Sequence, residues 1–265
     1  KNFYFKRIDI TQRSGLFNFF KKKKIDIIIH LAAQAGVRYS LINPKKYVDV
    51  NILGFLNIIE LAKEKKIKKF IYASSSSVYG ENKKFPLSEN QSLNPKNIYG
   101  LSKQMNEQIA SMYSKFFDLK CIGLRFFTIY GEWGRPDMFL FKLFKASQQS
   151  KKFYLNNYGN HKRDFTYVKD AVKIVLKLIN YKIVNNEIFN ICSNKPIKIL
   201  DIIKYFKKKN NVEVKLTEMH KADVKDTHGD NKKIKKALKR IKFNKFYRCF
   251  DTTYEWYKKN NISKI

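Results

Sequence analysis

The chain has 265 residues, 44% of them hydrophobic and 15% aromatic, which is enough apolar material for one large or two modest folded domains. Its 55 Lys and Arg against 22 Asp and Glu give a formal charge of +33. The lysines are spread along the whole sequence, which reads as solvated surface rather than a nucleic-acid site, although the excess can draw in anionic substrates. No apolar run approaches the roughly 20 residues of a membrane span, and Lys6 and Arg7 interrupt any leader-like core, so the expectation is a cytoplasmic protein with no membrane partner. Cys121, Cys192 and Cys249 are far apart and odd in number, which fits reduced thiols and neither disulfides nor a metal site.

In chain order, residues 3–6 alternate as a short strand that ends in a polar turn, and residues 14–22 read as a helix. The β-branched run 25–30 has the pattern of a parallel strand buried on both faces. It breaks into the small-residue turn Leu31-Ala32-Ala33-Gln34-Ala35-Gly36, where backbone can approach a ligand closely. Asn43-Pro44 opens a helix through about residue 66. A strand over 69–73 runs into Ser74-Ser75-Ser76-Ser77, and after a polar loop a helix carries Tyr99 and Lys103. Residues 121–130 form the next strand. Strands alternating with helices at this spacing predict an α/β fold, a doubly wound parallel sheet, with the ligand at the carboxyl ends of the strands.

Beyond Gly131 the alternation loosens. Helices are expected over 138–148, 169–180 and 197–208, strands over 153–158 and 187–191, and a basic amphipathic helix over 232–242. The division expected is a Rossmann-type domain over 1–130, to which part of 160–195 returns, and a smaller substrate-binding lobe over 131–265.

Tyr99 and Lys103 are four residues apart at the start of a helix, so both side chains lie on one helical face. A neighbouring ammonium favours the phenolate, which makes the pair a tunable general acid and base. Four hydroxyls at the end of a strand add proton donors beside it.

These landmarks resemble the extended short-chain dehydrogenase/reductase family, most closely its nucleotide-sugar 4-epimerases acting on UDP-glucuronate. The match rests on His30-Leu31-Ala32-Ala33-Gln34-Ala35-Gly36-Val37-Arg38-Tyr39-Ser40, Asn51 with Gly54, Tyr72 through Gly80, Tyr99 with Lys103, Leu124-Arg125-Phe126-Phe127-Thr128, Trp133-Gly134-Arg135-Pro136-Asp137-Met138 and Arg163-Asp164-Phe165-Thr166-Tyr167. The resemblance implies an NAD-dependent UDP-sugar 4-epimerase that works through a transient 4-keto sugar, with Tyr99, Lys103 and Ser75 catalytic. It assigns Asp9 and Ile10 to the adenine end of NAD, Leu31, Ala32, Ala33, Gln34 and Ala35 to the turn along the cofactor, Asn51 to backbone positioning and Phe127 to the nicotinamide. Ser76, Ser77 and Thr128 become donors to a sugar carboxylate, Arg38, Arg135 and Arg163 candidates for carboxylate or diphosphate, and Asp223 a ribose contact. A homodimer is a further family expectation.

Two features depart from the family pattern. No Gly-rich fingerprint follows a first strand, and residues 3–9 match what should be the third strand. The expectation is therefore a chain lacking its first βαβ unit, folding poorly and binding NAD weakly as it stands. The stretch 221–230 follows the family pattern only loosely, with His220 where an arginine or glutamine is common. Sister enzymes that dehydrate the sugar carry Asp-Glu after the triad hydroxyl, where this chain has Ser76-Ser77, which argues against dehydration. A UDP-glucuronate decarboxylase, an epimerase of another UDP-hexose, and a non-catalytic relic binding an anionic partner remain as alternatives.

Overall fold

The structure, a computed structural model, describes residues 3–262. The chain begins with α1 (Arg13–Phe20), β1 (Ile27–His30), α2 (Tyr39–Ile42) and α3 (Pro44–Tyr47), followed by a π-helical turn (Val48–Leu53) that runs into α4 (Gly54–Glu64). Next come β2 (Lys69–Ser75), a 3-10 turn (Ser76–Tyr79), α5 (Ile98–Phe117), β3 (Cys121–Phe126) and β4 (Thr128–Tyr130). They are followed by α6 (Phe139–Gln148), β5 (Phe153–Leu155), β6 (Lys162–Tyr167), α7 (Val168–Ile179) and β7 (Asn186–Ile191). The last elements are β8 (Pro196–Lys198), α8 (Ile199–Lys207), β9 (Val214–Leu216), α9 (Lys232–Leu238) and α10 (Phe246–Lys259). Among the described residues no helix is long and apolar enough to cross a membrane.

Two compact units result, one made of residues 1–80, 92–125 and 182–189, the other of 81–91, 126–181 and 190–265. In the first unit the strand order is β1-β2-β3-β7, and β1 runs parallel to β2 with Ile27 opposite Lys69 and His30 opposite Tyr72. The run Phe70-Ile71-Tyr72 is fully buried, as expected of a central strand covered on both faces. Phe55, Ile59, Leu61 and Ala62 of α4 pack with Leu16, Phe70, Tyr72 and Cys121 to form this unit's core.

Two predicted elements differ here. Residues 3–6 form no strand: β1 is the outermost strand of its sheet among the described residues, so this segment has no ladder partner, and Phe3, Tyr4 and Phe5 are exposed. The single helix expected over 43–66 is three pieces, because the π-helical turn interrupts it. Such turns wind the helix wider by one residue and recur at functional sites. Here the turn carries Asn51, which is buried.

In the second unit β4 pairs parallel with β6, with Thr128 opposite Phe165, and β6 pairs antiparallel with β8. The strand expected over 121–130 is thus two strands in different sheets, broken at Phe127, whose N–H donates to Ile191 O at 3.1 Å. The core of this unit is strongly aromatic, with Phe141, Phe144, Phe206, Phe250 and Tyr257 packed together. Cys249, Phe250, Thr253, Tyr254 and Tyr257 lie at helical spacing and form the buried stripe of α10, an element that sequence reading left unassigned. Residues 81–91 join this unit through Leu87, which receives Asp230 N–H at 2.8 Å and donates to His228 O at 2.7 Å.

Candidate active site

Asn97 starts α5: its side chain accepts from Gly100 N–H at 2.9 Å, which satisfies one of the orphan donors of the first turn. That cap puts Tyr99 in the first turn and Lys103 one turn later. Gly100 lets the helix sit close to the serine segment, since a Cβ there would lie 2.6 Å from Ser77 O. Lys103 is 4% exposed and donates to Ala73 O at 2.8 Å. Burial pulls its ammonium down to about 8, because a charge is costly away from water. The Tyr99 ring is half-buried and meets Tyr47 edge-on at 6.2 Å.

Ser75 is the last residue of β2, two positions further than the predicted strand end. Its hydroxyl accepts from Ser77 N–H at 3.1 Å and caps the 3-10 turn. This turn presents Ser76 and Ser77, both half-buried. Gly80 then closes the segment at φ 63°, and a Cβ on it would fall 1.7 Å from Asn94 O, so only glycine fits. Through the Ala73–Lys103 bond and the Gly100–Ser77 approach, the first unit brings Ser75, Tyr99 and Lys103 together.

The turn after β1 is pinned to the same helix. Asn51 Oδ1 accepts from Gln34 N–H at 2.7 Å, and Asn51 Nδ2 donates to Gln34 O and to Ser102 Oγ, each at 3.0 Å. Ser102 Oγ in turn donates to Tyr99 O at 2.8 Å, and Asn106 Nδ2 to Asn51 O at 2.7 Å. Tyr47 OH donates to Gly36 O at 2.6 Å and lies 3.0 Å from Ala35 O. Leu31 and Ala32 are exposed at the carboxyl end of β1, while Ala33, Gln34 and Ala35 are half-buried. His30 is buried, and burial together with the nearby Lys103 charge holds its imidazole down to about 3, so it is neutral. Asp9 is exposed and accepts from Thr11 N–H and Thr11 Oγ1, both at 2.9 Å. Ile10 O accepts from Asn57 Nδ2 at 2.9 Å, which ties that loop to α4. Arg38 is half-buried at the start of α2.

The remaining predicted residues belong to the second unit. Phe127 is buried, and its ring would meet a Cβ on Gly229 at 2.6 Å. Thr128 opens β4. Arg135 is exposed and holds Asp137 with two parallel bonds of 2.9 and 2.8 Å. Arg163 donates to Lys162 O at 2.8 Å, Lys225 O at 2.6 Å and Val224 O at 2.7 Å. It thereby straps residues 224–225, next to half-buried Asp223.

Sequence reading assigns no role to several side chains that hold this centre: Tyr47, Ser102, Asn106, Glu107 and Arg125, the last of which stands only within a matching run. Tyr47 looked like one more apolar helix position. Ser102, Asn106 and Glu107 share the helix of Tyr99, at i+3 from Tyr99, i+3 from Lys103 and i+4 from Lys103, spacings that point toward the same face.

Residues 1–192 match the NAD dependent epimerase/dehydratase family. A UDP-glucuronate 4-epimerase of Thermodesulfobacterium geofontis is 38% identical over 242 residues, covering 90% of this chain and 74% of that protein. Among solved structures, a UDP-glucuronic acid 4-epimerase from Bacillus cereus in complex with UDP-glucuronic acid and NAD matches with TM-score 0.88 at 31% identity, covering 96% of this chain and 81% of that one. A UDP-glucose 4-epimerase from Thermotoga maritima with UDP-glucose matches with TM-score 0.90 at 26% identity, covering 98% and 86%.

Proposed function

The chain belongs to the NAD-dependent epimerase/dehydratase family, and from that premise we propose that it is a nucleotide-sugar 4-epimerase interconverting UDP-glucuronate and UDP-galacturonate. The observation that carries the reading is the hydroxyl segment at the end of β2. Ser75 is fixed beside the Tyr99 helix, and the two residues after it, Ser76 and Ser77, are neutral hydroxyls. Loss of water from the sugar needs an acid and a base at that place, and hydroxyls serve as neither at neutral pH. They do suit a sugar carboxylate, as hydrogen-bond donors.

The residues present fit NAD. A turn of small residues, exposed at Leu31 and Ala32, ends β1, and its backbone is pinned by Asn51 and Tyr47 onto the helix of Lys103. Lys103 brings a buried ammonium for a ribose hydroxyl, and Asp9 a carboxylate at the far end of the loop that Asn57 anchors. When bound, the cofactor accepts and returns the hydride of sugar C4.

The chain's own part is proton traffic and orientation. Tyr99 takes the proton of the 4-hydroxyl as the C4–H bond breaks and gives it back once the ketone has turned over. The Lys103 ammonium favours the phenolate that this needs, and Ser75 donates to the 4-oxygen. Within the first unit Ser76 and Ser77 would donate to the sugar carboxylate and Arg38 would act on anionic charge; of the second unit's residues, Arg135 and Arg163 suit a diphosphate or uronate, Thr128 a carboxylate, Phe127 the nicotinamide and Asp223 a ribose. A second copy of the chain covers the outward stripe of α5, where Leu101, Met112 and Phe116 are 43%, 53% and 60% exposed, and the enzyme works in the cytoplasm.

The test is incubation of the purified chain with UDP-glucuronate and added NAD, followed by chromatography. UDP-galacturonate is the expected product, and Tyr99→Phe abolishes it. Turnover of UDP-glucose alone would overturn the choice of sugar, and release of carbon dioxide would replace epimerisation by decarboxylation.

A further inference from the structure

Next to the hydroxyl segment lies a buried ionic cluster that the proton chemistry above does not use. Arg125 of β3 grips Glu107 of α5 with Nε–Oε1 and Nη2–Oε2 bonds of 2.9 and 2.8 Å. Ser74 Oγ donates to the same Glu107 Oε1. Arg125 Nη1 donates to Tyr79 OH at 2.9 Å, and its guanidinium lies 4.8 Å from the Tyr79 ring centroid. Arg125, Glu107, Ser74 and Tyr79 are 4%, 8%, 2% and 0% exposed.

The placement of the four is specific. Ser74 immediately precedes Ser75, and Tyr79 closes the 3-10 turn that holds Ser76 and Ser77. The pair therefore grips the hydroxyl segment at both of its ends. Glu107 lies one turn beyond Lys103, so successive residues of β2, Ala73 and Ser74, bond to successive turns of α5. A buried ion pair is a weak source of net stability, because desolvation offsets its attraction, and apolar residues of similar volume fold as well or better. What a bidentate fork does supply is a fixed distance and angle between the groups it joins.

We propose that Arg125 and Glu107 are positioning residues, a clamp that sets the register of Ser75, Ser76 and Ser77 against the helix of Tyr99 and Lys103. The clamp touches no reacting atom. Its effect reaches turnover through geometry, where a displacement of about 1 Å costs on the order of 100-fold. This rests on the reading of Ser75, Tyr99 and Lys103 as the reaction centre.

The test compares the parent chain with Arg125→Met/Glu107→Leu, which removes both charges together and leaves neither buried alone, and with Arg125→Lys, which keeps the charge but not the fork. The double variant also takes from buried Ser74 and Tyr79 their bonds to Glu107 and Arg125, so it is expected to melt several degrees below the parent yet fold, to lose about 10-fold or more in kcat with KM within about twofold, and to exchange the amides of residues 76–79 and 99–103 faster. Arg125→Lys is expected to fall between the two. A double variant that is folded and shows parental kcat and parental exchange overturns the clamp. If the double variant does not fold, Arg125→Lys carries the test, and parental kcat and exchange in it overturn the clamp equally. Should the parent turn over no nucleotide sugar, the epimerase reading has failed, and the exchange of 76–79 and 99–103 alone decides the clamp.

Discussion

Gly100→Ala adds one methyl group at the closest approach between α5 and the serine segment. The new Cβ would lie 2.6 Å from Ser77 O, 3.0 Å from Pro95 Cβ and 3.1 Å from Ser77 C, where ordinary contact begins at 3.4 Å. Two of these three atoms are backbone, so no side chain can swing aside and the first turn of α5 has to retreat by about 0.8 Å. In stability the change is close to balanced, because alanine gains about 1 kcal/mol of helix propensity while overpacking costs about 1–3 kcal/mol. A net loss of ~0–2 kcal/mol lowers the melting temperature by about 2–4 °C per kcal/mol. Turnover is far more sensitive: Tyr99 and Lys103 move with the turn while Ser75 stays on β2, and misplacement near 1 Å costs on the order of 100-fold. The assay is kcat for nucleotide-sugar epimerisation beside a thermal melt, with Gly15→Ala in α1 as control, since nothing lies within 4 Å of a Cβ there. Parental kcat in Gly100→Ala would refute the argument that this approach sets the geometry of the centre.

Lys103 makes a prediction with a definite sign. Its ammonium titrates at about 8 when folded, below the ordinary 10.5, so between these values the unfolded chain binds more protons and this group's contribution to stability rises with pH. Below pH 8 the buried charge costs about 3 kcal/mol, so denaturant melts at pH 7 should find Lys103→Met at least as stable as the parent although it is inactive, and the kcat profile of the parent should fall on its alkaline side near pH 8. Asn51→Ala removes both bonds to the Gln34 backbone and the bond to Ser102; it should cost about 1–3 kcal/mol and lower the NAD retained per chain, measured by absorbance after acid release. Met112→Glu places a charge in the exposed α5 stripe and should turn a dimeric mass in light scattering into a monomeric one, with the melting temperature of the isolated chain unchanged.

The alternation of strands and helices was legible from β1 to α5 because strands of a parallel sheet buried on both faces leave unbroken apolar runs such as Phe70-Ile71-Tyr72. The same rule misread residues 3–6: a short apolar segment becomes a strand only when a neighbour completes its ladder, and among the described residues no strand stands beyond β1. It also fused β3 with β4, since a run that changes sheets at Phe127 looks no different from one that stays. The π-helical turn at Asn51 escapes a reading of residues 43–66 as one unbroken helical period, although an extra residue shifts the phase by about 100°.

Within the centre, what could be read and what could not divide by the reach of the bonds. Tyr99 and Lys103 are four residues apart and Ser75 and Ser77 two, so helix and turn geometry relate each pair without knowledge of the rest of the chain. Arg125 is 18 residues from Glu107 and 46 from Tyr79, and Asn51 is 51 from Ser102; only the packing of β2, β3 and α5 brings them into contact. Their burial makes them more informative. A charged pair that contributes little net stability, yet joins the last strand residues before Ser75 to the helix of Tyr99, is placed where a small error in register would be felt in the chemistry first. Local spacing thus identifies the groups that exchange protons. The long-range polar contacts identify what holds them still, and that second set is where substitutions should lower kcat by more than their cost in stability accounts for.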